Sequence, residues 1–327
     1  MADLHKEFKA FHDRIILAKS KRESLRTSRN ALRDKVRKHF KEMLKLNVPK
    51  FQGQGSYAMG TIVNPLDGEF DIDDGVYLMH LNTHDKSGWP TAETVHRWLV
   101  QATEGHTSEK PIDKATCVRV RFAGQYHVDL PAYGELNGIY LLAEKGEKGW
   151  YRSDPLALTD WFKGSVKNRG GQLRNIVRYL KAWADFQSGR LGVMPSGLIL
   201  TVLASNHFCA DERDDIAFEN TIDAISKAIR SAFYVYNPVD AGEELSARLT
   251  EAQKTRFQEA ISDAADAAAE AINNDDPHEA AKIWRKQFGD RFPAVEKEND
   301  TVQKKEITTR LATVYAAKNP SKPWGYH

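Results

Sequence analysis

The sequence predicts an α+β fold, a mixed α/β half followed by a helical half. Residues 116–130 alternate as a β-hairpin does: Val118, Val120 and Phe122 are interleaved with Arg119 and Arg121, then Tyr126, Val128 and Leu130 with His127 and Asp129. From Asp154 onward helical spacing takes over, as in the stripe Leu173, Ile176, Val177, Leu180 and Ala184. The change of pattern divides the chain near residue 155, giving domains 1–155 and 156–327, with the N-terminal helix able to bridge both.

The elements follow in order. Residues 4–46 read as one long helix or two, with Leu4, Phe8, Phe11 and Ile15 and then Leu25, Leu32, Val36 and Phe40 on the apolar face. The opposite face is rich in Lys and Arg but interleaved with Glu7, Asp13, Glu23 and Asp34, so it reads as a solvated face rather than a nucleic-acid stripe. Asn47-Val48-Pro49 ends the segment. Gly53, Gly55, Gly60 and Gly68 punctuate a loop-rich stretch, and 70–81 reads as a strand. A helix over 92–102 precedes the hairpin, whose turn is Ala123-Gly124-Gln125. Further helices are expected over 172–185, over 198–209 after Pro195-Ser196-Gly197, and over 218–233, 246–273 and 277–288. The alanine-rich run 260–271 belongs to one of them.

A chain of 327 residues, 41% apolar and 28% charged, suits a globular protein with real cores. Its net charge of +2 points to neither nucleic acid nor membrane, so any phosphate site must be local. Cys117 and Cys209 make no metal-ligand pattern and are expected to be reduced and partly buried, as in a cytoplasmic protein. The start has no apolar signal core, and the longest apolar run, 198–204, is far short of the ~20 residues a membrane helix needs.

The chemistry gathers around three aspartates. On a strand, residues two apart share a face, so Asp71 and Asp73 present paired carboxylates while Asp74 faces away. Such a pair repels and suits a divalent cation that prefers oxygen. Asp129, on a later strand, supplies a third acid. Asp-x-Asp alone is weak; its order after Gly55-Ser56 and before Asp129 makes it informative. Gly55 lets backbone approach a triphosphate, and the Ser56 hydroxyl can donate to a phosphate. Lys181, with Arg174 and Arg178 near it on one helix face, can neutralise a leaving pyrophosphate, against the alternative of a solvated basic face. Ser196 reads as a phosphate contact or as a simple N-cap. Arg119 and Arg121 share a strand face, which need not be the face of the acids.

These segments resemble the cGAS/DncV-like nucleotidyltransferases, and their DncV-like branch in particular. The matching stretches are Gln54-Gly55-Ser56-Tyr57, residues 64–75 with Asp71-Ile72-Asp73-Asp74-Gly75, residues 127–133, residues 173–183, and Trp284…Phe288-Gly289…Phe292-Pro293. The resemblance implies a polymerase-β-like nucleotidyltransferase core with a helical C-terminal lobe and a site in the cleft between them. It makes Asp71, Asp73 and Asp129 the catalytic ligands of two Mg2+ (or Mn2+) ions. It makes Gln54, Gly55, Ser56 and Tyr57 the donor-triphosphate loop, Lys181 and Ser196 phosphate contacts, and Arg119 a further nucleotide contact. It also implies synthesis of a cyclic oligonucleotide from ATP, GTP or other nucleoside triphosphates through 3'-5' or 2'-5' bonds. That product would be a second messenger in bacterial antiphage (CBASS-type) defence, acting on a separate effector. No Cys/His cluster exists for a zinc insertion, so no DNA requirement is expected. Regulation by a partner protein, and conjugation of the tail Pro323-Trp324-Gly325-Tyr326-His327 by an associated ligase, stand beside a plain frayed end. Two other readings use the same residues: a linear, template-independent nucleotidyltransferase of oligoadenylate or RNA-tailing type, and a non-catalytic nucleotide-binding protein. An intact acid triad argues against the second.

Overall fold

A computed structural model of the chain describes residues 1–123 and 126–297. The Gly124-Gln125 part of the hairpin turn and the C-terminal tail lie outside the described residues. The N-terminal segment forms two helices, α1 (His5–Ile15) and α2 (Lys19–Glu42). The chain breaks between them where Ile16 bridges to Val63 and the Ile15 carbonyl accepts from the Asn64 amide.

The two helices serve different cores. On α1, Phe8 and Phe11 sit among Tyr179, Trp284, Phe288 and Phe292, with Phe11 and Phe288 centroids 4.5 Å apart and Phe8 and Trp284 rings edge-on at 5.0 Å. The aromatic stretch 284–292 is therefore a packing device. On α2, Leu32, Val36 and Phe40 pack on the back of a sheet together with Val95 and Leu99 of a helix described below.

The sheet contains β1 (Lys50–Gln54), β2 (Phe70–Tyr77), β3 (Ile112–Asp113), β4 (Val118–Phe122), β5 (Tyr126–Leu130), β6 (Ala132–Leu136), β7 (Ile139–Glu144) and β8 (Gly149–Arg152). Strand β2 is its axis. Its first half pairs parallel with β5, its last two residues pair parallel with β6, and β1 runs antiparallel along its other edge. Strand β4 follows β5 as the expected antiparallel hairpin, and β3 borders it. The meander β6-β7-β8 extends the sheet the other way. A one-turn helix, α3 (Gly55–Met59), follows β1, and α4 (Ala92–Thr103) covers the back of the sheet. Strand β2 ends at Tyr77, four residues short of the expected 81.

The second half is helical: α5 (Pro155–Arg169), α6 (Gln172–Leu191), α7 (Gly197–His207), α8 (Asp214–Ile229), α9 (Glu251–Asn273) and α10 (Pro277–Phe288). A small hairpin, β9 (Tyr236–Asn237) with β10 (Asp240–Glu244), interrupts it. Asp154 caps α5 ahead of Pro155, Ser196 caps α7, and Thr250 and Gln253 form a capping box on α9. The alanine-rich run lies in α9, where Ala260, Ala264, Ala268 and Ala271 are buried. Both cysteines are free, Cys117 buried and Cys209 half-buried. Among the described residues no helix is long and apolar enough to cross a membrane.

Candidate active site

The site begins as a small grid on the face of the sheet opposite α2 and α4. Register sets one row as Asp73, Asp129 and Arg119 on β2, β5 and β4, and the next row as Asp71, His127 and Arg121. Residues paired across adjacent strands project to the same side. The strand face carrying Arg119 and Arg121 is therefore the face of the acids. Asp74 points through the sheet and is fully buried. There it meets Arg33 of α2, with Arg33 Nε 2.7 Å from one carboxylate oxygen and its terminal nitrogen 2.5 Å from the other. Arg33, itself half-buried, is thus the counter-ion of a buried acid on a helix face that reads as solvated.

Within the grid, carboxylate oxygens of Asp71 and Asp129 and a ring nitrogen of His127 all lie within 4.8 Å of one another, a spacing that suits one metal ion. The Asp73 carboxylate is turned towards the turn at Gly55. Gly55 has φ +61°, and a Cβ there would collide with Asp73 Oδ2, so glycine is required twice over. Burial, reinforced by the charges of Asp71 and Asp129, pushes the Asp73 carboxyl up to about 7. Burial and like charge together make the acids costly to ionise, and a divalent ion fits the oxygen-rich set. Arg119 relieves part of that cost. Its Nε and a terminal nitrogen each lie 2.7 Å from an Asp129 oxygen in a two-pronged pair. Arg119, expected at a nucleotide, is here engaged by an acid.

Across from the grid lies a cleft of about 620 Å³, lined among others by Gly55, Ser56, Asp71, Asp73, Lys181 and Thr201. Lys181 Nζ donates to Thr61 Oγ1 at 3.0 Å, and Gly197 leaves space beside it, since a Cβ there would stand 3.3 Å from Nζ. Burial lowers the Lys181 ammonium to about 8, partly offset by Asp71 and Asp73. The basic face of α6 is not solvated. Arg174 Nε donates to the Met59 carbonyl at 3.2 Å, and Arg178 donates to the Gly60 carbonyl at 2.6 Å and lies 2.7 Å from His12 Nε2. Asp185, one turn on, accepts from the Leu66 amide. Helix α6 thereby clamps the turn that follows Gly55-Ser56.

The other expected contacts separate. Gln54 is buried beneath the site, donating to the Tyr77 hydroxyl at 2.9 Å and accepting from that of Tyr133 at 3.1 Å. Its side chain crosses Gly75, where a Cβ would collide with it. Tyr57 packs beside Leu25, Phe70 and Ile72, with the Arg29 guanidinium over its ring. The Ser196 hydroxyl accepts from the Ile199 amide at 3.4 Å, which is an N-cap bond. Pro195 and Gly197 on either side of it line the cleft. Sequence reasoning passed over His127, Glu69, Thr61 and the gripping role of Arg178. The only signal in the chain was the i, i+2 spacing of His127 and Asp129.

The chain matches two family models, "Cyclic GMP-AMP synthase DncV-like, nucleotidyltransferase domain" over residues 49–133 and "Cyclic GMP-AMP synthase, C-terminal domain" over 170–305, which together span more than half of it. It is 30% identical over 226 residues to a cyclic GMP-AMP synthase of Escherichia albertii, covering 67% of this chain and 50% of that protein. It is 26% identical over 280 residues to a cyclic AMP-AMP-AMP synthase of an Acinetobacter strain, covering 82% and 79%. The chain spans about half the length of the Escherichia cyclic GMP-AMP synthases it matches. Its fold is that of the Vibrio cholerae cyclic AMP-GMP synthase DncV, with TM-score 0.76 at 20% identity, covering 89% of this chain and 97% of that one. The same protein in complex with non-hydrolysable GTP gives 0.77 at 20% identity, covering 91% and 100%. The mixed sheet and helical lobe are thus a polymerase-β-like nucleotidyltransferase fold.

Proposed function

The chain belongs to the DncV-like nucleotidyltransferase family, and from that premise we propose that it joins nucleoside triphosphates into a cyclic oligonucleotide with release of pyrophosphate. The observation that carries this reading is the facing of Asp71 and Asp73 by Ser56 and Lys181 across a single cleft, with Asp129 beside them on the same sheet face as the register partner of Asp73.

The roles follow from placement. The Gly55-Ser56 turn, held from behind by Arg174 and Arg178, presents backbone and a hydroxyl to the donor triphosphate. Lys181 carries positive charge to the β- and γ-phosphates and to the departing pyrophosphate. Asp71, Asp73 and Asp129 would hold divalent ions, proposed as two Mg2+ or Mn2+. Such ions, when bound, neutralise the acids, polarise the α-phosphate and ease loss of the acceptor proton. The acceptor hydroxyl oxygen forms the new bond to the α-phosphorus as the bond to pyrophosphate breaks, and the last of two or more turns of the same reaction closes the ring. Positioning and charge neutralisation supply most of the catalysis. An ion held by Asp129 would compete with Arg119 for its oxygens, and the freed guanidinium would be placed to meet a nucleotide phosphate.

The relatives' names cover two- and three-nucleotide rings, so the product is proposed as a class. It would be a second messenger of antiphage defence, made in the cytoplasm and read by a separate effector. The lobes are proposed to divide near residue 155, where Asp154 caps α5.

Incubating the pure protein with the four labelled nucleoside triphosphates and Mg2+ or Mn2+ tests the reading. A small phosphatase-resistant product is expected. A ladder of linear products would replace cyclisation with chain extension, and absence of pyrophosphate under all conditions would reject the enzyme.

A further inference from the structure

One polar atom of the grid is unaccounted for. His127 is 5% exposed, and its Nε2 is buried with no hydrogen-bond partner. Its Nδ1 lies 3.2 Å from Glu69 Oε1, and the Glu69 carboxylate also lies 3.7 Å from Arg121. The carboxylate fixes the tautomer: Nδ1 carries the proton and donates it, leaving the Nε2 lone pair free. A buried acceptor left unpaired is unfavourable unless something fills the place. An imidazole held by a carboxylate on one nitrogen, with the other nitrogen bare beside acids, is how metal-ligating histidines are arranged. The acids are at hand, since Asp71 is the register partner of His127, Asp129 is two residues along the same strand, and both come within 4.8 Å of a ring nitrogen.

Resting on the metal-dependent reading above, we propose that His127 is a nitrogen ligand of the ion held by Asp71 and Asp129, oriented by Glu69, and that this nitrogen biases the site towards Mn2+ over Mg2+. Magnesium keeps to oxygen ligands, whereas first-row transition ions gain from imidazole. A bare three-acid site would lack that preference. Two neighbours compete with the ion. Arg119 covers both oxygens of Asp129 and must yield, while Arg121 is half-exposed and is drawn to Glu69 and Glu109. Glu69 therefore acts as a positioning residue and not as a ligand.

The experiment is pulsed electron paramagnetic resonance on the full chain with Mn2+ and a non-hydrolysable ATP analogue, using unlabelled protein and protein carrying 15N-histidine. Expected are a 14N coupling that becomes 15N on labelling and that disappears in His127→Gln while Mn2+ still binds, about tenfold more weakly. The ratio of Mn2+- to Mg2+-supported activity should fall by a similar factor in that variant. Mn2+ bound without histidine coupling, but lost in Asp129→Asn, would overturn the nitrogen ligand and leave the three-acid site standing. No bound Mn2+ in any form would overturn both. The isotope exchange in the unsubstituted chain decides between these outcomes even where His127→Gln fails to fold.

Discussion

The two walls of the cleft are built in opposite ways. The sheet wall places its charges by strand register alone: Asp73, Asp129 and Arg119 lie in one row because three strands pair there, and Asp71 and His127 lie in the next. The helix wall places its charges by anchoring. Arg174 and Arg178 direct their hydrogen bonds to the Met59 and Gly60 carbonyls, and Lys181 to Thr61. On the sheet wall burial and the neighbouring Asp71 and Asp129 push Asp73 up to about 7, while on the helix wall burial and the nearby Arg174 lower Arg178 to about 10. A ligand carrying divalent ions and a triphosphate supplies what each wall lacks. Binding and relief of repulsion are then one event.

The largest effect should come from the sheet wall. Asp73→Asn is expected to lower kcat by about 10³-fold or more, because a neutral amide cannot replace an ion-holding carboxylate. Its stability should move the other way. The carboxyl stands above its ordinary value of 3.8, so the favourable protonated form is lost as pH rises through about 7. At pH 8 without metal, Asp73→Asn should melt no lower than the parent. A lower melting temperature would show that the ionised acid was satisfied after all.

Lys181 is the matching test on the helix wall. Lys181→Ala should lower kcat/KM about 10- to 100-fold, the loss of one charge-assisted phosphate contact. With the ammonium lowered to about 8, kcat/KM for the parent should fall as pH rises through that value, since the free enzyme loses the positive charge. A profile flat to pH 10 would return Lys181 to a structural role.

Arg178→Ala breaks the clamp without touching the nucleotide. It should destabilise the fold by about 1.5–3 kcal/mol and raise KM more than it lowers kcat. An unchanged KM would mean that the Gly55-Ser56 turn holds its shape without α6.

The smallest and most discriminating pair is the two serines. Ser56→Ala should raise KM by about two- to tenfold with the melting temperature unchanged. Ser196→Ala should cost about 1 kcal/mol of stability as a lost N-cap, with KM unchanged. Reversal of the two would exchange their roles.

The same contrast explains what could be read from the chain alone. Period-two alternation placed Asp71 with Asp73 and His127 with Asp129, and the parallel pairing that joins them kept both sets on one face. A helical stripe announced α6, whose apolar face is buried in a continuous core, whereas α7 was announced by its Pro195-Ser196-Gly197 start and is buried on every side over 199–205. Strands β6, β7 and β8 carried no comparable signal: their pairing is decided by β2 and by each other, and several of their residues are only half-buried. The break after Ile15 depends on a bridge to Val63, far along the chain. Gln54 and Tyr57 looked like loop residues facing a ligand, yet tertiary packing buried the first between two tyrosines and set the second beside Phe70. The Arg178 grip on Gly60 joins residues more than a hundred positions apart, which no local pattern can announce.

The most direct measurement is a crystal structure of the chain with a non-hydrolysable nucleoside triphosphate and Mn2+, with the ions located by anomalous scattering. Manganese peaks between Asp71, Asp73 and Asp129, with the triphosphate running past Ser56 to Lys181 and Arg119 released from Asp129, are the expected result. A bound triphosphate with no peak among the three acids and the Arg119–Asp129 pair still closed would contradict it.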